Sequence, residues 1–155
     1  MNSNITDKKY KKLSLQVSLT GLSFCSFDTL HNRIISINEI QFDTFHKSTK
    51  IEELFSDAFK NYPELTDSYD EIQVIHNNNL STFVPTALFD ENFLGSYLQY
   101  NTKVFETDFF AFDEITNYQM NAVYIPYVNI NNFFIDQFGS FDYKHAISIL
   151  VTKLL

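Results

Sequence analysis

The segment from Lys12 to Asp28, "KLSLQVSLTGLSFCSFD", constrains the fold more than any other stretch. Leu13, Leu15, Val17 and Leu19 alternate with Ser14, Gln16, Ser18 and Thr20, and Gly21 interrupts before a second apolar run from Leu22 to Asp28. Two-residue alternation marks a strand with one buried face, and a glycine between two such runs marks a hairpin. "DTLHN" then turns into a third run, Arg33 to Phe42, completing a three-stranded meander. In "STKIEELFSDAFKNYP" the period changes: Ile51, Leu54, Phe55, Ala58 and Phe59 form the apolar stripe of an amphipathic helix. Thr49 and Glu52 have capping-box spacing at its start, and Pro63 marks its end. "EIQVIH", Glu71 to His76, is a fourth strand closed by Asn77, Asn78 and Asn79.

Beyond this point the pattern is less regular. "LSTFVP" reads as a brief strand ended by Pro85, and "DENFLGSYLQY" as a short helix capped by Asp90, with Phe93, Leu94, Tyr97 and Leu98 facing inward. "VFETDFFAF" and "QMNAVYIP" read as a strand pair joined by "DEITNY". "VNINNFFIDQFG" predicts a helix with Ile130, Phe133, Phe134, Gln137 and Phe138 on one side and Gly139 as its C-terminal cap. The final "YKHAISILVTKLL" has helical spacing at Ala146, Ile149, Leu150, Lys153 and Leu154, while β-branched Ile147, Ile149 and Val151 also permit a strand.

The resulting order, βββα β(β)α ββα α, predicts an α/β fold with a mixed sheet. Its βββαβ opening is that of the ribonuclease H-like fold, which is also half of an actin-like ATPase. Residues 1–11 form a polar lead expected to be flexible, and 12–155 a single α/β domain. The apolar finish "VTKLL" points to the N-terminal part of a longer, two-subdomain protein. At 155 residues, with 45% hydrophobic residues and 17 Phe and 9 Tyr, the chain supplies a full core without disulfide or metal.

The segments "LSLQVSLTGLSFCSFD", "FVPTALFDENFLGSYLQYN" and "KHAISILVTKLL" resemble the uncharacterised bacterial family called domain of unknown function 3822, from about Tyr10 to Leu155. Its members are similar in fold to actin-like ATPases and usually run well beyond this length. The resemblance implies a fold, and it supplies no activity and no functional residues.

The actin-like resemblance places a demand on the opening hairpin. In that superfold the first strand delivers an Asp to metal and phosphate, followed by a Gly and small hydroxyl residues whose amides cradle the phosphate. Here Val17, Ser18 and Leu19 stand where the Asp is needed, and only Gly21 and Ser23 match the phosphate turn. A nuclease on the same framework fails similarly, because the first strand lacks carboxylates and the fourth ends in His76 and Asn77.

Other chemistries find no motif. His31, His46, His76 and His145 are scattered without zinc-ligand spacing. Cys25 lies in an apolar strand with no cation beside it, which suits a buried thiol. Glu64, Asp67, Asp70 and Glu71 lack the glycine turn of a calcium loop and read as a solvated loop. Glu106 and Asp108 alternate on an expected strand, where they would share one exposed face. The aromatic crowding from Phe109 to Phe141 fits a core or a protein interface.

A formal charge of -8 opposes nucleic acid, and the basic run "KKYKK" at Lys8 to Lys12 reads as a solvated tail. No apolar run approaches the ~20 residues of a membrane span, and the N-terminus has no signal-peptide pattern. With one cysteine, a soluble cytoplasmic protein is expected. The expected function is a non-catalytic binding or scaffold protein with a degenerate phosphate site. It needs no cofactor, and its partner is another protein or a C-terminal half. The alternative is an ATP- and magnesium-binding actin-like ATPase, with Gly21 and Ser23 in the phosphate turn and its other ligands in that half.

Overall fold

The computed structural model describes residues 8–43 and 49–154, so His46 and the first seven residues lie outside the described residues. Alternation in the opening segment produces β1 (Lys11–Val17), β2 (Gly21–Asp28) and β3 (Arg33–Gln41) as an antiparallel meander. Helix α1 (Ile51–Asn61) crosses over to β4 (Glu71–His76), which pairs parallel to β1. A three-stranded antiparallel unit follows: β5 (Ser81–Pro85), the short helix α2 (Leu94–Leu98), β6 (Ala111–Ile115) and β7 (Met120–Tyr124), in sheet order β5-β7-β6. Helix α3 (Val128–Phe138) returns to the first sheet, where β8 (Asp142–His145) pairs parallel to β4, and α4 (Ala146–Leu154) ends the described chain. The main sheet therefore has the order β3-β2-β1-β4-β8.

The two faces of this sheet are covered by different helices. Leu13, Leu15 and Val17 of β1, Leu22 and Phe24 of β2 and Val74 of β4 point to one face and are fully or almost fully buried. Against them lie Phe55, Ala58 and Phe59 of α1 and Ile130 and Phe134 of α3. The Phe55 ring sits edge-on to Phe42 at 5.2 Å and to Phe134 at 5.6 Å. The alternate residues, including Lys12, Gln73 and Lys144, face the other side, where α4 lies over β4 and β8. A smaller core of Val84, Leu98 and Val123 fills the three-stranded unit.

The outer edge of the main sheet is irregular. Ser26 pairs with Ser36 but Phe27 with Ile34, so Ile35 is the extra residue of a β-bulge. Ile34, Ile35 and Ile37 are 55%, 51% and 68% exposed along this edge.

Several local expectations are revised. Helix α1 starts one residue after the expected cap: Lys50 is the N-cap and makes no side-chain cap bond, so Thr49 and Glu52 do not form a capping box. The acidic side chains of Glu52 and Glu53 still favour the positive end of the helix. Asp90 does cap, accepting the Asn92 amide, but it caps a 3₁₀ turn that leads into α2, and Phe93 is exposed. Gly95 packs closely under Phe110, since a Cβ there would lie 3.0 Å from the ring, which would have to shift. In α3, Gln137 is exposed and Asn131 is buried instead. Residues 104–110 are not a strand: the Asp108 carboxylate accepts the Phe105 amide at 2.8 Å and closes a local turn, so Glu106 and Asp108 share no sheet face. The strand starts at Ala111 and takes in Asp113 and Glu114, which were expected in the connecting turn. The C-terminal segment satisfies both of its periodicities in succession, first β8 and then α4.

Truncating the ring that joins α1, α3 and Phe42 leaves a large cavity. Phe55→Ala is expected to lower unfolding free energy by about 3–5 kcal/mol, measured by urea denaturation.

Candidate functional site

In open sheets with parallel strands, ligands gather beyond the carboxyl ends of those strands, where the strand order reverses. Here that place is the end of β1 and β4, where Val17 pairs with His76 and the Asn77 amide donates to the Val17 carbonyl at 2.9 Å. A cleft of about 440 Å³ opens beside it, lined by Gln16, Ser18, Thr20, Gly21, Ser23, Glu39, Gln41 and Asn77 among others. Gly21 and Ser23, the two residues expected in a phosphate turn, are thus brought together in one cleft. Its described lining holds one carboxylate, Glu39, and no Lys or Arg.

The turn from β1 to β2 is bonded to itself. The Ser18 amide donates to the Gly21 carbonyl at 3.1 Å, and the Thr20 amide to Ser18 Oγ at 3.2 Å. Ser18 Oγ also lies 3.1 Å from Thr20 Oγ1, while the Thr20 carbonyl accepts the Phe42 amide at 2.9 Å. Two of the amides that would face a phosphate are therefore already engaged. Gly21 is not in the left-handed region. Its need for glycine comes from β3, because a Cβ at this position would lie 2.5 Å from the Ile40 carbonyl oxygen.

Beneath the turn, a buried polar network links the two sheets. His76 Nδ1 accepts the Tyr127 amide at 3.2 Å, so its proton sits on Nε2, which donates to Asn131 Oδ1 at 2.9 Å. His145, the register partner of His76 across β4 and β8, has the same tautomer. Its Nδ1 accepts the Ile147 amide at 3.0 Å, and its Nε2 donates to the Asn78 carbonyl and side-chain oxygens, both at 3.0 Å. The Asn78 side chain in turn donates to the Ile125 carbonyl and accepts the Leu80 amide. Asp113 on β6 completes the link: its carboxylate accepts the His145 amide at 2.8 Å, the Ser148 hydroxyl at 2.7 Å and the Tyr124 hydroxyl at 3.2 Å.

Burial keeps this network neutral apart from Asp113. It pushes His76 down to about 4, a shift partly opposed by the bond to Asn131, and it also lowers His145. Burial, reinforced by the Asp113 charge, holds the Tyr124 phenol well above its ordinary range, so it remains a donor. Every member of the network already has a partner within it, and no ring nitrogen is left to abstract a proton from a substrate.

The remaining sequence candidates lie apart from the cleft. His31 bonds Asp28 in the β2–β3 turn at 2.8 Å, and that bond holds the Asp28 carboxyl near 2. Cys25 is partly buried on β2. The basic and acidic runs, each expected to be solvated, meet each other: Asp70 accepts the Lys9 and Lys11 amides, Lys11 Nζ lies 2.7 Å from Asp67, and Lys12 Nζ lies 3.3 Å from Glu71. Among the described residues, no group of three or more His, Cys, Asp or Glu could hold a metal ion.

The five-strand order with its crossover helices defines a domain of the actin-like ATPase fold. The chain belongs to the family described as Protein of unknown function (DUF3822), whose model matches residues 1–155. A solved protein from Bacteroides thetaiotaomicron, described as having an actin-like ATPase fold and unknown function, superposes with a TM-score of 0.83 at 18% identity. That match covers 97% of this chain and 58% of the Bacteroides chain. The cytoplasmic domain of EpsL, an inner-membrane component of the type II secretion system of Vibrio cholerae, aligns more loosely, at a TM-score of 0.49 and 12% identity. This second match covers 86% of this chain and 55% of that one, so the chain spans little more than half of either structure. No curated protein matches the sequence. No helix among the described residues is long and apolar enough to cross a membrane.

Two outcomes test the site's construction. Gly21→Ala drives a methyl group into the β3 backbone and is expected to cost about 1–3 kcal/mol of stability in a urea titration. His76 binds its proton less readily folded than unfolded, so its contribution is complete above its unfolded pKa and is lost as pH falls toward about 4. The loss reaches about 3 kcal/mol there, and in His76→Gln that part of the pH dependence of urea stability is expected to vanish.

Proposed function

We propose that this chain is a non-catalytic binding or scaffold module of the cytoplasm, built on the actin-like fold, with a phosphate turn that no longer receives phosphate. The observation that carries this reading is the self-bonded Ser18–Gly21 turn, whose Ser18 and Thr20 amides are engaged internally beside Glu39. A triphosphate entering the cleft would meet a carboxylate and no Lys or Arg among the described lining residues, and Val17, Ser18 and Leu19 offer no carboxylate to magnesium. The ligand class under this reading is protein, either a separate partner or a C-terminal subdomain of a longer chain. The 58% coverage of the Bacteroides structure fits the second arrangement.

The competing reading is ATP and magnesium binding at Gly21 and Ser23, with further ligands contributed by such a subdomain. Its support is the position of the cleft at the ends of the parallel strands.

A thermal-shift titration with ATP and magnesium separates the two, on this chain and on any longer parent. Nucleotide at a hundred times its dissociation constant would add about 2.7 kcal/mol to the folded state. The expected result is an unchanged midpoint up to millimolar nucleotide. A dose-dependent rise that Gly21→Ala or Ser23→Ala reduces would overturn the scaffold reading.

A further inference from the structure

Nineteen acidic residues outnumber eleven Lys and Arg in this chain, yet one cleft reverses the ratio. It lies on the face of the main sheet opposite α1 and α3, between α4 and the β6 end of the smaller sheet, and encloses about 310 Å³. Lys12 of β1, Lys144 of β8 and Lys153 of α4 all line it, against a single carboxylate, Glu114. From these we infer that the cleft is a binding site for a compact phosphate-bearing anion.

Three features carry the inference. Lys12 is already paired with Glu71 at 3.3 Å, whereas Lys144 and Lys153 make no ion pair among the described residues. Two lysines without an ion pair among the described residues thus line one cleft from separate elements, where like charges on one small surface repel when no anion lies between them. Gln73, Ser148 and Thr152 add polar groups to a lining that also holds Ile115 and Ile149, and the buried Asp113 carboxylate, 2.7 Å from Ser148 Oγ, already accepts three hydrogen bonds. Lysine ammonium groups act as compact point charges that suit a tetrahedral phosphate, whereas planar carboxylates favour the fork of an arginine. The volume lies at the small end of ligand pockets, which favours a phosphate ester or pyrophosphate over a large nucleotide or a polymer.

This site is separate from the β1–β2 turn and does not depend on the scaffold reading. The test is a thermal-shift and calorimetric titration of the full chain with inorganic pyrophosphate in EDTA at constant ionic strength, with citrate and sulfate in parallel. Pyrophosphate is expected to raise the midpoint in a saturable way, and sulfate to leave it unchanged. Lys144→Gln and Lys153→Gln are each expected to weaken binding about tenfold, the loss of one charge-assisted contact. Lys60→Gln on α1, outside the cleft, is expected to leave it unchanged. No saturable shift, a shift retained in the Lys144→Gln/Lys153→Gln chain, or a response to citrate alone would overturn the inference. A magnesium–ATP shift that survives this double variant belongs to the turn and bears on the scaffold reading instead.

Discussion

The attachment of one sheet to the other rests on the carboxylate of Asp113. A charge buried at the junction of two layers is costly unless it is fully hydrogen-bonded, and here three donors from three elements converge on it. Two of them, the His145 amide at the end of β8 and the Ser148 hydroxyl in the first turn of α4, flank the start of that helix, where His145 Nδ1 accepts the Ile147 amide, so a side chain from β6 holds the β8–α4 junction in place. Asn78 and the two histidines extend the link back to the ends of β4 and β8. The main sheet would hold its order through hydrogen bonding and burial alone. The smaller sheet meets it through this polar junction and through the Tyr124 ring 5.2 Å from His145, while the two hydrophobic cores are separate clusters.

The opening of the fold was legible because its signals are local and redundant. Alternation in Leu13 to Asp28, the stripe from Ile51 to Phe59, the apolar run of β4 and Gly139 behind α3 each identify an element without help from the rest of the chain. What escaped reading was set by tertiary contacts. Asp113 looks like a turn residue in "DEITNY", and only the approach of α4 makes a buried strand position tolerable for it. Strand β8 is four residues long and polar at Asp142 and Lys144, too short for alternation to show. Phe105 to Phe110 carry strand-like composition, yet the Asp108 side chain offers the backbone a competing partner.

The candidate site was legible in part. Gly21 and Ser23 do share a cleft at the strand ends, but the role of Gly21 rests on the proximity of the Ile40 carbonyl, which no linear pattern reveals. The neutral histidine pair was invisible for the same reason: His76 and His145 are 69 positions apart in sequence and become register partners only through the parallel β4–β8 pairing. The charge runs are largely exposed, as read, but their pairing is not visible in the sequence. "KKYKK" and the acidic loop from Glu64 to Glu71 each look solvated alone, and each is the other's partner.

The bulge at Ile35 has a consequence for how this protein survives in a crowded solution. An edge strand carrying three exposed isoleucines is a template on which foreign strands can add, the first step toward sheet-to-sheet aggregation. A regular ladder needs an even repeat of outward amides, and the extra residue breaks that repeat near the start of β3. An incoming strand finds straight backbone only from Ser36 to Gln41, where Glu39 adds a charge that resists burial. The irregularity thus shortens the regular part of the apolar edge to the six residues from Ser36 to Gln41.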